Sequence, residues 1–153
     1  MRMCMCDFIS FHLEAYDTDI NATENTLVYE MPIGNYTDFQ VEPSCGLAGM
    51  DGVIDTFDDP RSFYSPDRHK AQLIWFCQGY IEYRFPNKIN PLWNIRELSF
   101  FMEICSEAPG YNAQWPSDIT ISVDERQWEF IHAREIWGRR RGRANYRMCG
   151  RWG

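Results

Sequence analysis

The feature that most constrains this chain is a two-residue period of apolar and polar side chains, repeated in short runs and cut off each time by proline or glycine. Residues 8–13 (FISFHL), 26–31, 37–42 (TDFQVE), 72–85, 92–105, 119–123 and 127–131 all carry it. Alternation puts successive side chains on opposite faces of an extended strand, whereas a helix needs a period of 3.6. Pro32 with Gly34, then Pro43, then Pro86 end the runs, because proline removes a ladder donor and fixes its own backbone. Short strands with turn residues at near-regular spacing and little helical periodicity predict an all-β chain, an antiparallel β-sandwich. The 153 residues fit one domain with a real core.

Within that frame the clearest unit is residues 72–85. QLIWF and YIEYRF flank Cys77-Gln78-Gly79, a short glycine-bearing link that predicts a β-hairpin. Its face of Ile74, Phe76, Ile81, Tyr83 and Phe85 is wholly apolar and is expected to point into the core. Residues 92–105 predict a longer strand or bent pair, with Leu98, Phe100, Met102 and Ile104 on the core side and Glu103 opposite. Residues 119–131 predict a last hairpin around Asp124-Glu125-Arg126. Three glycines in residues 45–52 predict a tight loop, and no Lys-Ser/Thr closes it as a phosphate cradle would require.

The densest collection of binding groups is residues 103–118, EICSEAPGYNAQWPSD. It holds Glu103, Glu107, Tyr111, Asn112, Trp115 and Asp118, with Pro109-Gly110 and Pro116 to fix its turns. Aromatic faces beside carboxylate and amide groups suit a small polar, sugar-like molecule: the ring stacks on C–H faces and the acceptors take hydroxyl donors. Asp59 and Arg61 are expected to join them, and Trp115 is expected to wall the site rather than plug the core. No nucleophile paired with a base stands out, so binding is expected rather than turnover, and no catalytic residue is assigned. The alternative is a glycoside hydrolase, with Glu103 and Glu107 as acid and base, or a carbohydrate-binding module using the same site.

Metal and cofactor chemistry finds less support. Residues 1–6 alternate Met and Cys, but two thiolates make a poor site and no His or Cys follows at finger spacing. Asp58-Asp59-Pro60-Arg61 lacks the spacing of a calcium loop, and Arg61 more simply neutralises its neighbours. No metal and no cofactor are therefore expected. Cys45 has no activating base nearby in sequence. The six cysteines form no regular framework, no signal peptide is recognised, and no apolar run approaches the roughly 20 residues of a membrane span, so a cytoplasmic chain is expected and no membrane contact.

Five phrases carry a resemblance: VYEMPIGNYTDFQVEPSCGLAG, FDDPRSFYSPDRHKAQLIWF, GYIEYRFPN, EICSEAPGYNAQWPSDI and GRRRGR. Across residues 27–143 the chain resembles the C-terminal domain of a group of predicted ArsR-type winged-helix transcriptional regulators. The resemblance implies a jelly-roll-like sensor domain and a regulatory role; it supplies no ligand. A winged-helix head needs on the order of 70 residues, and only residues 1–26 precede the matching region. The expectation is thus a sensing domain over 1–143, an irregular basic tail over 144–153, and a closing strand left out. Its expected partners are the small polar molecule and a separate DNA-binding subunit or a second copy of the chain.

Charge bears on the remaining function class. The net charge of −7 hides a split, with +6 in residues 134–153 and −13 in residues 1–133. An acidic body repels phosphates, so no specific nucleic-acid recognition by this chain alone is expected. Arg139, Arg140, Arg141 and Arg143 instead suit a basic segment lying against the acidic body.

Overall fold

The structure is a computed structural model and describes residues 2–17, 24–107, 117–124, 126–133 and 145–150. Eleven strands and two short 3-10 helices occur there, every strand pairing is antiparallel, and there is no α-helix among the described residues. No helix among them is long and apolar enough to cross a membrane.

The alternation of residues 8–13 extends in both directions, giving β1 (Arg2–Asp17), the spine of the largest sheet. Along one edge β1 pairs over its whole length with β8 (Trp93–Glu107), from Arg2 opposite Glu107 to Asp17 opposite Trp93. Its other edge is shared. β6 (Leu73–Phe76) takes Met3 to Cys6, and β2 (Glu24–Pro32) takes Phe8 to Tyr16. Beyond β6 lie β4 (Gly46–Gly49) and the two-residue β5 (Gly52–Val53); β11 (Asn145–Gly150) closes on β8. The register of β1 on β8 shifts between Cys6 and Ile9 and again between Glu14 and Ala15. Such bulges add twist and let a long pair bend. Two further two-stranded sheets are formed by β3 (Asp38–Glu42) with β7 (Gln78–Glu82), and by β9 (Ser117–Val123) with β10 (Arg126–Ala133).

One core joins the large sheet to the β3–β7 ribbon. Val41 of β3, Leu47 of β4, Ile74 and Phe76 of β6 and Phe63 of η1 (Pro60–Tyr64) are buried together with Ile33, Tyr36, Cys45 and Ala71. Phe39, Ile81, Tyr83, Phe85 and Met102 pack against them, so the apolar face read from residues 72–85 does turn inward. Each fully buried Leu, Ile or Phe contributes about 1.5–3 kcal/mol of transfer free energy. Two tyrosines bury their rings and still satisfy their hydroxyls. Tyr36 donates to the Phe63 carbonyl at 2.5 Å, and Tyr83 to the Ile33 carbonyl at 2.6 Å.

Several expectations are corrected. Residues 72–85 are not a hairpin: β6 pairs with β1 and β4, β7 pairs with β3, and the chain changes sheets at Cys77. Trp75, read as outward, is buried as well. Residues 45–52 are not a loop but a strand and a tight turn, β4 into β5. Gly46 stands opposite Trp75, and a Cβ there would overlap the indole ring, which is why a glycine occupies a strand position. The strand read over 92–105, which already held Glu103, runs on as β8 to Glu107. Asn145 to Gly150, read as irregular tail, form the edge strand β11; an edge strand packed against one neighbour needs no clean alternation. The last hairpin forms, but Arg126, read as part of its turn, already belongs to β10 opposite Val123, and Asp124 at φ 47° takes the left-handed turn conformation.

Candidate functional site

The best-defined polar surface is built on η1, and the order Asp58-Asp59-Pro60-Arg61-Ser62-Phe63-Tyr64 dictates it. Asp59 is an N-cap in extended conformation, its Oδ1 accepting the Arg61 N–H at 2.9 Å. Pro60 follows at the first helical position, where a missing N–H costs nothing. The Arg61 guanidinium folds back on the same carboxylate, with Nη2 2.6 Å and Nε 3.0 Å from Oδ2. That hydrogen-bonded fork holds the Asp59 carboxyl below its usual pKa and the guanidinium above its own.

The loop leading into η1 is pinned from inside. Ser62 Oγ donates to the Thr56 carbonyl at 2.7 Å and accepts the Thr56 N–H at 3.1 Å. Asp58 Oδ1 accepts the buried Cys45 N–H at 2.9 Å. Asp55 and Asp58 take left-handed conformations, φ 63° and 62°, which Asp tolerates better than most residues.

In a 3-10 helix, residues three apart eclipse one another. Ser62 and Phe63 are buried, and Arg61 and Tyr64 share the outer face. Tyr64 is 75% exposed, yet its ring is held 4.6 Å from that of Phe39. Beside Phe39 in β3, Asp38 accepts the Tyr80 hydroxyl proton at 2.9 Å. That bond, with some burial and the nearby Asp38, Glu82 and Tyr64, raises the Tyr80 hydroxyl's pKa. The outer face of η1 thus offers an aromatic ring, a carboxylate and a guanidinium in fixed positions, while strand alternation puts Asp38 and Tyr80 on the face of the β3–β7 ribbon opposite Phe39. Such a set can stack on a ring and exchange hydrogen bonds with hydroxyls.

Of the residues singled out in sequence, the structure brings together Asp59 and Arg61. Asp118 is exposed on β9, opposite His132 of β10. Glu107 stands opposite Arg2, and Glu103 stands between Cys6 of β1 and Asn145 of β11. Four residues apart on one strand, the two glutamates have Cα atoms about 13 Å apart at ~3.3 Å per residue. Tyr111, Asn112 and Trp115 lie outside the described residues, as do Arg139, Arg140, Arg141 and Arg143.

Sequence reading missed Tyr64, Phe39, Asp38 and Tyr80. Tyr64 was within reach, because the capped Asp-Pro start marks a short helix and Tyr64 falls three residues after Arg61. The Tyr80–Asp38 bond was not, since it spans 42 residues and depends on β3 pairing with β7. Compared with models of protein families, with curated proteins and with solved structures, the chain finds no match.

Proposed function

We propose that this chain is a ligand-sensing regulatory domain, related to that of ArsR-type regulators and folded as a jelly-roll-like β-sandwich, which binds a small polar, sugar-like molecule without turning it over. The observation that carries the reading is the outer face of η1. An exposed tyrosine is held against Phe39 there, one 3-10 turn from a guanidinium clamped by its own carboxylate. Preorganised groups lose little freedom on binding, and that favours recognition of a small ligand. The ligand residues of this reading at η1 are Asp59, Arg61 and Tyr64; the part that the sequence gives to the 103–118 stretch is a proposal from sequence alone. In this reading the domain works in the cytoplasm with a separate DNA-binding subunit or a second copy of itself.

The test is a thermal-shift and calorimetric screen of sugars, polyols and small polar metabolites against the wild-type chain and Tyr64→Ala. The expected result is a saturable binder that Tyr64→Ala weakens at least tenfold while the melting temperature without ligand barely moves. Binding indifferent to both Tyr64→Ala and Arg61→Ala removes the η1 face from the reading. Hydrolysis of chromogenic glycosides, abolished by Glu103→Gln, overturns the binding assignment itself.

A further inference from the structure

β3 and β7 form a sheet of two strands, and among the described residues neither has a second ladder partner. Glu42 turns its carbonyl toward β7, where it accepts the Cys77 N–H at 3.3 Å. Backbone groups of successive strand residues point to opposite sides, so Phe39 and Val41 turn theirs to the outer edge of β3. Among the described residues no hydrogen bond from outside the ribbon reaches the backbone of Asp38 to Val41. The outer edge therefore holds the N–H and C=O groups of two alternate residues without a ladder partner. Such a row is the template on which an added strand forms.

The side chains along that edge decide what can be added. Asp38, Gln40 and Glu42 are exposed on one face, while Phe39 and Val41 turn to the core cluster. Across the ribbon the exposed face continues with Glu82, Tyr80 and Gln78, which stand opposite Asp38, Gln40 and Glu42 in that order. Arg84 pairs with Glu82 at 2.7 Å, whereas no salt bridge among the described residues reaches Asp38 or Glu42. A second copy of the chain is a poor occupant. Two β3 edges paired antiparallel about Gln40 set Asp38 against Glu42 twice, and like charges directly opposite one another are destabilising. A strand with cations at those two positions meets complementary charge instead.

We propose that the outer edge of β3 takes up an extended basic segment of a partner protein as the third strand of the ribbon. Main-chain bonds to Phe39 and Val41 supply affinity, and side chains at alternate positions supply specificity. The residues opposite Asp38 and Glu42 are arginine or lysine. Those two carboxylates sit four positions apart on one strand, about 13 Å at ~3.3 Å per residue, which an extended partner repeats residue for residue. The residues opposite Phe39 and Val41 point to the core side and are apolar, with the Tyr64 ring beside Phe39. The recognised pattern is basic, apolar, any, apolar, basic. Screening by salt weakens the charged contacts and leaves the main-chain ladder. This inference does not rest on the ligand-binding reading at η1.

The experiment titrates the full chain into a fluorescein-labelled peptide, Thr-Arg-Val-Thr-Val-Arg-Thr, and follows fluorescence anisotropy. Two control peptides separate the contributions. One carries N-methylvaline at both valines, which keeps charge and side chains but removes the two ladder donors; the other carries glutamate in place of both arginines. The expected result is saturable binding at one equivalent, weakened at least tenfold by either control. Glu42→Lys and Gln40→Lys, which place a cation on the edge, each weaken the parent peptide at least tenfold. Circular dichroism checks that both variants fold, and either one carries the comparison if the other does not. Four outcomes overturn the proposal: no saturable binding to the wild type, equal binding of the N-methylated peptide, binding unchanged in the folded variants, or a dimer in sedimentation that Gln40→Lys breaks. The third shows attachment elsewhere on the chain, and the last gives the edge to a second copy.

Discussion

Tyr36 concentrates several kinds of interaction in one side chain. Its ring is 1% exposed, meets Phe39 edge-on at 5.3 Å, and carries the Arg68 guanidinium 4.4 Å from its centroid. Its hydroxyl donates to the carbonyl of fully buried Phe63. Tyr36→Phe keeps the ring contacts and leaves that carbonyl without its donor. The expected loss is about 1–3 kcal/mol, read as a lower urea midpoint at unchanged slope. The same hydroxyl makes stability sensitive to alkali. Burial pushes its pKa up from 10.0 to about 12, against the weaker opposing pull of Arg68. Above pH 10 the unfolded chain releases this proton and the folded chain keeps it until about pH 12, so rising pH favours unfolding. The contribution is whole below pH 10 and is lost as pH climbs toward 12. Burial shifts Tyr83 in the same direction. Urea midpoints measured from pH 9 to 12 are expected to fall, and to fall less steeply in Tyr36→Phe.

At the level of elements, the β3–β7 ribbon depends on one residue. Gly79 has φ +128°, and a Cβ on it would overlap the Gln40 carbonyl of the partner strand. Gly79→Ala meets both penalties and is expected to cost at least about 2 kcal/mol, with the loss checked by a urea melt. The same glycine explains what sequence could and could not disclose. Alternation and proline stops revealed β2, β3 and the β9–β10 hairpin, since those signals are local. Partner choice is not local. Cys77-Gln78-Gly79 has the composition of a hairpin turn, yet Cys77 donates its N–H to the Glu42 carbonyl at 3.3 Å and the chain leaves one sheet for another. Gly46 belongs to the same class of miss, because its glycine answers to Trp75, 29 positions away in sequence. The candidate site divides along the same line. The Asp59–Arg61 pair was legible because its members are two positions apart, whereas the bond between Tyr80 and Asp38 needed a register.

At the scale of the whole molecule, a core that joins the large sheet to the β3–β7 ribbon carries a lopsided charge, −13 over residues 1–133 against +6 over residues 134–153. The described surface of the ribbon adds to the acidic side, with Asp38 and Glu42 exposed on β3 and Glu82 half-buried on β7. A duplex approaching such a body meets like charge, and phosphate binding is governed by counterions that arginines release. The arginines at 139, 140, 141 and 143 act in opposite ways according to what they meet. As a free peptide they bind DNA without sequence preference, and four phosphate contacts give log affinity against log salt a slope of about −3.6. In the intact chain the acidic body competes for them, and the Debye length of about 8 Å at physiological salt limits what attraction remains. The expected outcome is that residues 134–153, as a peptide, retain duplex DNA at low salt and release it near 0.15 M, while the whole chain binds more weakly at every salt concentration. Retention measured on both, across a salt series, checks this. A sequence-selective footprint by the intact chain that survives 0.15 M salt would show base-edge recognition instead, since phosphate contacts alone carry no sequence information.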